Sequence, residues 1–278
     1  MDLWFTEKHS DTVKFDIKIK EHLYSGASDF QKIDILQSEE LGKILVLDGI
    51  LMLTEKDEFI YHEMMTHIPM AVHPNARKIL VIGAGDGGTV NQLVKYKSIE
   101  QIDVIEIDQL VVDKCKEYFP QLTKGFSDSR VTIKYEDGLK YVRKAKGIYD
   151  IIIVDSTDPF GPGEGLFAKE FYGNCFNALT DDGIMVNQHE SAFYPSYDDI
   201  VAKTHNKIKH FFPISELYQA HIPTYPSGHW LFGFASKKYA GCELRENWAD
   251  EGITTKYYNQ ELHKGCFALP NYVKELIK

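Results

Sequence analysis

Four carboxylates lie where consecutive strands of a predicted sheet end, and they are the first candidates for chemistry. Asp86 lies inside a glycine-rich turn, Glu106 ends the next strand along the chain, Asp137 follows the third strand and Asp155 follows the fourth. Because the carboxyl ends of parallel strands meet at one edge of a sheet, we expect these groups to share one crevice. A crevice lined by carboxylates favours a cationic small molecule.

The segment after the fourth strand, 155–165, carries a second carboxylate, Asp158, three residues beyond Asp155. Pro159 restricts Asp158 to extended backbone geometry, so both carboxylates are expected where a substrate would meet a nucleotide. The glycines and prolines that follow have the composition of a mobile lid. Acids after a buried strand are also common turn formers, but that interpretation does not explain why they gather with Asp86 at one crevice.

The glycine-rich turn itself indicates a nucleotide site. An apolar strand, 79–82, leads into Gly83-Ala84-Gly85-Asp86-Gly87-Gly88 and then into a helical pattern. Glycines at 83, 85 and 88 permit a tight turn and close approach of a ligand, which suits a nicotinamide dinucleotide or an S-adenosyl compound. Two anions about 4 Å apart repel by roughly 1 to 4 kcal/mol near a protein surface. Asp86 therefore disfavours a pyrophosphate and favours a cationic ligand.

Several polar residues near this turn have both a ligand-binding and a structural interpretation. Glu106 can accept hydrogen bonds from ribose hydroxyls, whereas Asp108 is better placed to cap the next helix. Asp137 can accept from an adenine amino group beside Gly138, or it can cap the helix that follows. Tyr225, which lies between two prolines in a rigid turn, is either a core tyrosine or a phenol directed into the cleft.

An alternation of strand and helix patterns positions these residues. After 79–82, strands are predicted at 102–107, 131–135, 151–154, 184–186, 214–221 and 230–235, and helices at 57–72, 89–97, 109–119, 138–145, 168–180 and 198–211. This alternation predicts an α/β fold with a parallel sheet of roughly seven strands and helices on both faces.

The first part of the chain has a different pattern. Short alternating segments at 13–19, 30–36, 44–47 and 50–53, with Asp48-Gly49 as a tight turn, predict β-strands and a hairpin. Thr54 or Asp57 is expected to cap the helix that follows. We therefore expect two domains, a small β-domain over 1–54 and a larger nucleotide-binding domain over 55–278.

Composition excludes several classes of protein. A formal net charge of −10 argues against a nucleic-acid partner. The four cysteines form no Cys-x-x-Cys pair, so neither a zinc site nor a disulfide framework is indicated. His62 and His67 are five residues apart, and a helical zinc motif needs four, so we expect no metal there. The chain has no apolar run of about 18 residues and no export signal, and we expect a cytoplasmic protein without membrane contact.

Six stretches in the same order over almost the whole chain resemble the aminopropyltransferases of the spermidine synthase family: 46–49, 57–63, 83–88, 106–108, 155–159 and 222–228. The resemblance implies a class I methyltransferase-like (Rossmann-like) seven-stranded sheet with a small N-terminal β-domain, and a homodimer or homotetramer. It also implies decarboxylated S-adenosylmethionine as co-substrate, putrescine as acceptor and no tightly bound cofactor. Ala84 departs from the family, which usually has a third glycine there, and we expect little effect.

The resemblance also assigns roles to residues. Asp155 matches the family's proton acceptor, and Asp158, Tyr61 and Tyr225 complete the catalytic set. The donor-binding positions are Gln31, Gly83, Gly85, Asp86, Glu106, Asp137, Gly138 and Pro162. The amine-binding positions are Tyr61, His62, Asp86, Asp155, Ser156, Thr157, Asp158, Gln188 and Tyr225. Glu190 is a candidate for holding the far amine of putrescine.

The implied reaction is an in-line displacement at the carbon next to the sulfonium. Only a neutral amine has the lone pair for this attack, and keeping an amine of pKa ~10.4 neutral at pH 7 costs roughly 4.6 kcal/mol. One group must therefore take the proton as attack begins, and Asp155 is placed for it, with Tyr61 and Tyr225 as relays.

Three other functions remain open from the sequence. They are a small-molecule N-methyltransferase on the same fold, a polyamine-binding module without catalysis, and a dinucleotide oxidoreductase. The acceptor is also open among putrescine, cadaverine, agmatine and spermidine, because the depth of the groove that measures chain length is not visible in the sequence.

Overall fold

Two β-sheets form the framework of the protein, and a computed structural model describes them within residues 2–156 and 161–278. The side chains of residues 161, 162 and 195–198 also lie outside the description. The sequence-based assignments at Thr157 and Asp158, and the extended geometry expected from Pro159, therefore fall outside the described residues.

The N-terminal sheet has five antiparallel strands in sequential order. They are β1 (Leu3–Lys8), β2 (Lys14–Ala27), β3 (Lys32–Ser38), β4 (Lys43–Leu47) and β5 (Ile50–Thr54). Asp48 and Gly49 both have positive φ, 50° and 85°, which confirms the predicted hairpin turn. β1 was not predicted, because its apolar residues Leu3 and Trp4 are consecutive and about half exposed on an edge strand.

The second sheet has seven strands, as predicted, in the order β11-β12-β10-β9-β6-β7-β8. They are β6 (Lys78–Gly83), β7 (Gln101–Glu106), β8 (Val131–Tyr135), β9 (Tyr149–Asp155), β10 (Leu179–Glu190), β11 (Ile214–His221) and β12 (His229–Ser236). β6 to β10 pair in parallel, whereas β12 is antiparallel to both β10 and β11. The expectation of a parallel sheet is thus right for the nucleotide-binding strands and wrong at β12.

Helices cover both faces of this sheet. They are α1 (Glu58–Val72), α2 (Gly88–Leu93), α3 (Gln109–Tyr118), α4 (Gly138–Lys144), α5 (Lys169–Ala178), α6 (Pro195–Lys209), α7 (Gln260–Gly265) and α8 (Asn271–Leu276), with 3-10 turns at Thr123–Ser127, Gly161–Phe167 and Trp248–Glu251. Along β6, Ile79 and Val81 pack with α1 and α2, while Leu80 and Ile82 pack with α4 and α5. This alternation makes the strand a continuous apolar run, as a sheet buried on both faces requires.

The β-domain is attached to the larger sheet through α3. Ile33, Ile35 and Leu45 from β3 and β4 pack in one cluster with Val111 and Phe119. This packing brings the loop before β3 to the carboxyl edge of the larger sheet, where the predicted nucleotide site lies.

The start of α1 differs from the sequence-based expectation. Asp57 occupies the N-cap position, but its carboxylate makes no bond to the helix. It accepts instead from the hydroxyl of Thr54 and from the backbone N–H and hydroxyl of Thr224. The predicted cap position is therefore right at Asp57, but its carboxylate joins α1 to the turn that carries Tyr225 instead of bonding the first turn of the helix.

Glu63, which lies between His62 and His67 on α1, has a structural role. Its carboxylate accepts three backbone N–H bonds, from Lys256, Tyr257 and Tyr258, each at 2.8 to 2.9 Å. The contacts tie the C-terminal segment to α1. In the described part of the chain no cluster of three potential metal ligands occurs. Across the same residues, no helix has the length and apolarity to cross a membrane.

Candidate active site

Two adjoining pockets open at the carboxyl edge of the larger sheet. The first lies over β6, β7 and β9 and is closed on one side by the β-domain. The second lies between β1, β10 and the turn before β12. Both pockets are lined by Met52, Tyr61, Ser156 and Tyr225. These four residues therefore mark the boundary where molecules bound in the two pockets would meet.

The glycine turn brings β6 against the end of β9. Gly83 has a φ of 89°, and a Cβ at this position would lie 2.0 Å from the carbonyl oxygen of Asp155. The same oxygen accepts from the backbone N–H of Ala84 at 2.9 Å. A glycine is required at 83 both for its φ and for this close approach, so the turn fixes the backbone of Asp155.

Ala84 has a left-handed backbone with a φ of 61°. A non-glycine residue in this region carries a strain of about 1 to 2 kcal/mol. The departure from the family's glycine therefore leaves the shape of the turn intact, as expected, at an energetic cost.

Asp86 lies at the floor of the first pocket with two partners. Its Oδ1 accepts from the backbone N–H of Gly88 at 2.7 Å and lies 3.2 Å from Nε2 of His62. Burial disfavours the charged carboxylate, but the charge and hydrogen bond of His62 outweigh it and lower the pKa of Asp86. Asp86 is therefore a fixed negative charge inside the glycine turn.

Asp155 lines the first pocket and is adjacent to two residues of the boundary, Tyr61 and Ser156. Its Oδ1 accepts from the hydroxyl of Tyr61 at 2.8 Å and its Oδ2 from the hydroxyl of Thr89 at 2.6 Å. Burial and the charge of Asp86 together raise the pKa of Asp155 to about 6, against the effects of His62 and the two hydroxyls. The group is thus ionised at neutral pH but far more basic than an ordinary aspartate, which suits a proton acceptor.

Two of the predicted acids, Glu106 and Asp137, line the first pocket. Glu106 is buried, and burial is the main cause that raises its pKa to about 7. Its Oε1 accepts from the N–H of Asp108, which leaves the second oxygen beside Gly85. Asp108 caps α3, as the sequence favoured, and also accepts from Gln31 at 3.0 Å. Gln31 and Glu106 therefore lie together in the pocket.

Asp137 and Gly138 also line the first pocket. The carboxylate of Asp137 accepts from the backbone N–H of Leu139, so it caps α4. A Cβ at Gly138 would lie 2.6 Å from Ile82, which explains the glycine by packing against β6. The helix-cap interpretation of Asp137 is observed, and its second oxygen remains near the pocket and near Lys140.

Two acids and several aromatic residues line the second pocket, and Lys8 and His9 also border it. Glu7 from β1 and Gln188 and Glu190 from the end of β10 line it, together with Trp230 and Tyr225. Glu190 has a positive φ of 74° and lies at a register shift in the pairing of β10 with β12, after Gln188. Both acids are buried, at 4 % and 1 % exposure. This pocket is therefore suited to an elongated cation with apolar methylenes between charged ends.

Tyr225 is directed into the cleft, which decides between its two interpretations. Its hydroxyl donates to the carbonyl of Met52 at 2.6 Å, and its ring lies 6.2 Å from that of Tyr61. The neighbouring hydroxyl of Ser156 is buried and has no hydrogen-bond partner among the described residues. Ser156 is thus free to bond a ligand.

Comparison with known proteins agrees with this geometry. A model described as "Spermine/spermidine synthase domain" matches residues 58–246, and one described as "Spermidine synthase tetramerisation domain" matches residues 3–55. The chain belongs to the spermine/spermidine synthase family. The polyamine aminopropyltransferase of Alkaliphilus oremlandii is 64% identical over 280 residues, covering 100% of this chain and 99% of the relative. That of Clostridium perfringens is 62% identical over 279 residues, with the same coverage.

Solved structures of the family have the same fold. A spermidine synthase in complex with the transition-state analogue AdoDATO has a TM-score of 0.96 and 42% identity, covering 99% of this chain and 94% of the other. The spermidine synthase of Thermotoga maritima has a TM-score of 0.94 at the same identity and coverage. The chain is therefore an enzyme of the polyamine aminopropyltransferase class with the Rossmann-like fold expected from the sequence.

The sequence missed three residues that build this aminopropyltransferase site. Glu58 lies one helical turn before His62 and bonds it at 2.6 Å, a spacing visible in the sequence. Thr89, at the start of α2, bonds Asp155 across 66 positions, and Glu7 enters from β1, which was not predicted. Thr157 and Asp158 lie outside the described residues, and Pro162 is in the 3-10 turn Gly161–Phe167 with its side chain not described.

Proposed function

We propose that this enzyme transfers the aminopropyl group of decarboxylated S-adenosylmethionine to putrescine, giving spermidine and methylthioadenosine. The observation that carries the proposal is the position of Asp155. It lines the first pocket next to the boundary residues Tyr61 and Ser156, it is oriented by Tyr61 and Thr89, and its pKa of about 6 leaves it ionised at neutral pH.

The donor occupies the first pocket in this proposal. Glu106 accepts from the ribose hydroxyls, Gln31 lies beside it, and Asp137 and Gly138 border the adenine. The ammonium of the aminopropyl chain pairs with Asp86. S-adenosylmethionine carries a carboxylate on the same chain, and Asp86 would repel it. Asp86 therefore selects the decarboxylated donor.

Putrescine occupies the second pocket, with its reacting nitrogen beside Asp155 and its far ammonium near Glu190 and Glu7. The lone pair of the reacting nitrogen attacks the methylene carbon bound to the sulfonium. A C–N bond forms, the C–S bond breaks, and its electron pair stays on sulfur in methylthioadenosine. Asp155 takes the proton from the attacking nitrogen, with the phenols of Tyr61 and Tyr225 as relays.

Alignment supplies the rest of the acceleration. Holding nitrogen, carbon and sulfur in line contributes up to roughly 7 to 11 kcal/mol when a bimolecular step becomes effectively unimolecular. Tyr61, Tyr225 and Gln188 line the wall along which the acceptor would lie, and Asp158 is proposed as a further carboxylate there. Pro162, Thr157 and Ser156 complete the proposed contacts.

We also propose a homodimer or homotetramer built through residues 1–54. The matched family model for 3–55 is described as a tetramerisation domain, and Leu3 and Trp4 are about half exposed on edge strand β1. Light scattering of the purified enzyme tests the assembly.

Product analysis by mass spectrometry tests the reaction. The enzyme is incubated with decarboxylated S-adenosylmethionine and, in separate reactions, putrescine, cadaverine, agmatine or spermidine. We expect spermidine and methylthioadenosine in equal amounts, with putrescine as the best acceptor. Methyl transfer from S-adenosylmethionine would establish an N-methyltransferase instead, and binding without methylthioadenosine release would leave a polyamine-binding protein.

A further inference from the structure

His62 is held between two carboxylates. Its Nδ1 lies 2.6 Å from Oε2 of Glu58, and its Nε2 lies 3.2 Å from Oδ1 of Asp86. A neutral imidazole donates from one nitrogen only. The lone pair of its other nitrogen would then point at a lone pair of the second carboxylate, and the two would repel. Both contacts are hydrogen bonds only when the ring is an imidazolium.

The position of the ring is also fixed. His62 is 2 % exposed, and a Cβ at Gly88 would come within 2.2 Å of its ring atoms. The ring of His62 therefore occupies the space that a side chain at position 88 would need. His62 cannot turn away from Asp86 without leaving this space, so its charge stays at one place beside the donor pocket.

We propose that Glu58 and His62 form a charge-balancing pair, in which Glu58 keeps His62 protonated and the imidazolium beside Asp86 keeps Asp155 ionised at neutral pH. This inference rests on the proposed aminopropyl transfer, for which an ionised Asp155 is needed. Neither residue has to touch the reacting atoms, so both are positioning residues.

The charges around the site support this assignment. The groups that face His62 are Glu58 from its own helix and Asp86 from the glycine turn. Burial works against the imidazolium, but these two carboxylates raise the pKa of His62 well above its usual range. The charges of Asp86 and His62 also act on Asp155 on β9. The charge of Asp86 raises the pKa of Asp155, and the charge of His62 lowers it.

Two more groups complete the surroundings. The rings of Tyr61 and His62 meet edge to face with centroids 5.5 Å apart, and the Tyr61 hydroxyl donates a hydrogen bond to Asp155. Glu106 faces Asp86 from β7, and the charge of Asp86 contributes to raising its pKa. The His62 imidazolium thus lies against two carboxylates, Glu58 and Asp86, and loss of its charge removes the effect that opposes Asp86 at Asp155.

The experiment compares the pH profile of kcat/KM for the wild type with those of His62→Gln and Glu58→Gln. An opposite charge within about 4 to 6 Å changes a carboxyl pKa by roughly one unit or more. We expect the acidic limb of both variants to move about one unit to higher pH. Relative to wild type, activity then falls about five-fold at pH 6, since the pKa of wild-type Asp155 is about 6, and this deficit shrinks as the pH rises toward 9.

His22→Gln is the matched control, because His22 pairs with Asp34 at 3.1 Å on the β2–β3 ladder and lines neither pocket. Its acidic limb should stay in place. An equal loss at every pH in the His62 and Glu58 variants would indicate a purely structural role and would overturn the proposal, as would an unshifted limb with activity retained.

Two NMR titrations keep the inference separate from the proposed reaction. The ring carbon signals of His62 should be those of an imidazolium at pH 8 in the wild type and titrate at lower pH in Glu58→Gln. The carboxyl carbon of Asp155 should titrate at higher pH in His62→Gln. A neutral His62 at pH 7 would end the inference. If both titrations behave as expected while the wild type transfers no aminopropyl group, the proposed function is wrong and the charge pair stands.

Discussion

The hydroxyl of Tyr61 donates a 2.8 Å hydrogen bond to Oδ1 of Asp155, and this contact joins helix α1 to the end of strand β9. Burial, together with the charge of Asp155, raises the pKa of the Tyr61 phenol well above its usual range, so the phenol stays protonated and donates. Thr89 bonds the other oxygen of the same carboxylate. Asp155 is therefore held from two helices in the first pocket, beside the boundary residue Tyr61, which makes it the residue to test first.

Replacing Asp155 with asparagine keeps its shape and removes its basicity. We expect Asp155→Asn to lower kcat by 10²-fold or more, the range for loss of a general base, while both substrates still bind. Turnover is followed by methylthioadenosine release and binding by isothermal titration. Asp181→Asn, at an exposed position on the far part of the same sheet, is the control and should retain activity. Full turnover by the Asp155 variant would assign the base to another group.

Asp86 is expected to select the donor by charge. Asp86→Asn should weaken binding of decarboxylated S-adenosylmethionine by about ten-fold, since a hydrogen bond to a charged group contributes roughly 1.5 to 3 kcal/mol. Binding of S-adenosylmethionine should weaken less or improve, so the preference between the two donors narrows. Isothermal titration with each ligand measures both effects. Unchanged affinities for both ligands would show that Asp86 does not read the donor's charge.

The titration of the Glu106 carboxyl makes the folding stability of the enzyme depend on pH. The pKa of this carboxyl is about 7 in the folded enzyme against 4.5 for an ordinary glutamate, and burial is the main cause. The folded state therefore holds this proton more tightly than the unfolded state, and the stability so gained is lost as pH rises from about 4.5 through 7. Glu106→Gln removes this loss, because glutamine does not titrate. We therefore expect the free energy of unfolding of the variant, relative to wild type, to increase by up to about 3 kcal/mol between pH 5 and pH 8.

Urea unfolding at the two pH values measures this gain, and Glu40→Gln at an exposed position is the control. The same Glu106 variant should bind the donor more weakly, because the ribose loses a carboxylate partner. A stability difference that is equal at pH 5 and pH 8 would contradict the assigned cause.

The glycine turn provides a prediction about geometry. Gly83→Ala places a Cβ 2.0 Å from the carbonyl of Asp155 at a φ of 89°, so we expect a loss of stability above about 2 kcal/mol together with a loss of activity. Gly49→Ala has a similar φ of 85° with open space around the new Cβ. It should cost about 1 to 2 kcal/mol by strain alone and leave activity intact. Equal costs at the two sites, measured in urea, would mean that the contact with Asp155 is not tight.

The sequence predicted the seven-stranded sheet because its signals are local. Apolar runs such as 79–82 and 151–154 and the glycines at 83 and 85 fix strands and turn from neighbouring residues alone. The rules for parallel sheets then bring Asp86, Glu106, Asp137 and Asp155 to one edge. β1 escaped prediction because its apolar residues Leu3 and Trp4 are consecutive and about half exposed, and α7 and α8 were not predicted either.

The pairing of side chains could not be derived in the same way. Tyr225 allowed two interpretations until its hydroxyl was found on Met52, 173 positions away. Asp57 was expected to cap α1, yet Thr224, 167 positions away, takes its carboxylate. In both cases the hydrogen-bond partner is distant in the chain, and the periodicity of the sequence carries no information about such a partner.

The sequence by itself determined that acidic residues gather at one edge of a nucleotide-binding sheet, because strand order and chain direction follow from local patterns. Only the tertiary structure decided which of these carboxylates have a charged or hydrogen-bonding side chain as a partner. His62 lies between Glu58 and Asp86, and Tyr61 and Thr89 hold Asp155, since folding brings helices α1 and α2 against the ends of β6 and β9. Charge and basicity depend on these distances of a few ångströms, which a one-dimensional pattern does not contain.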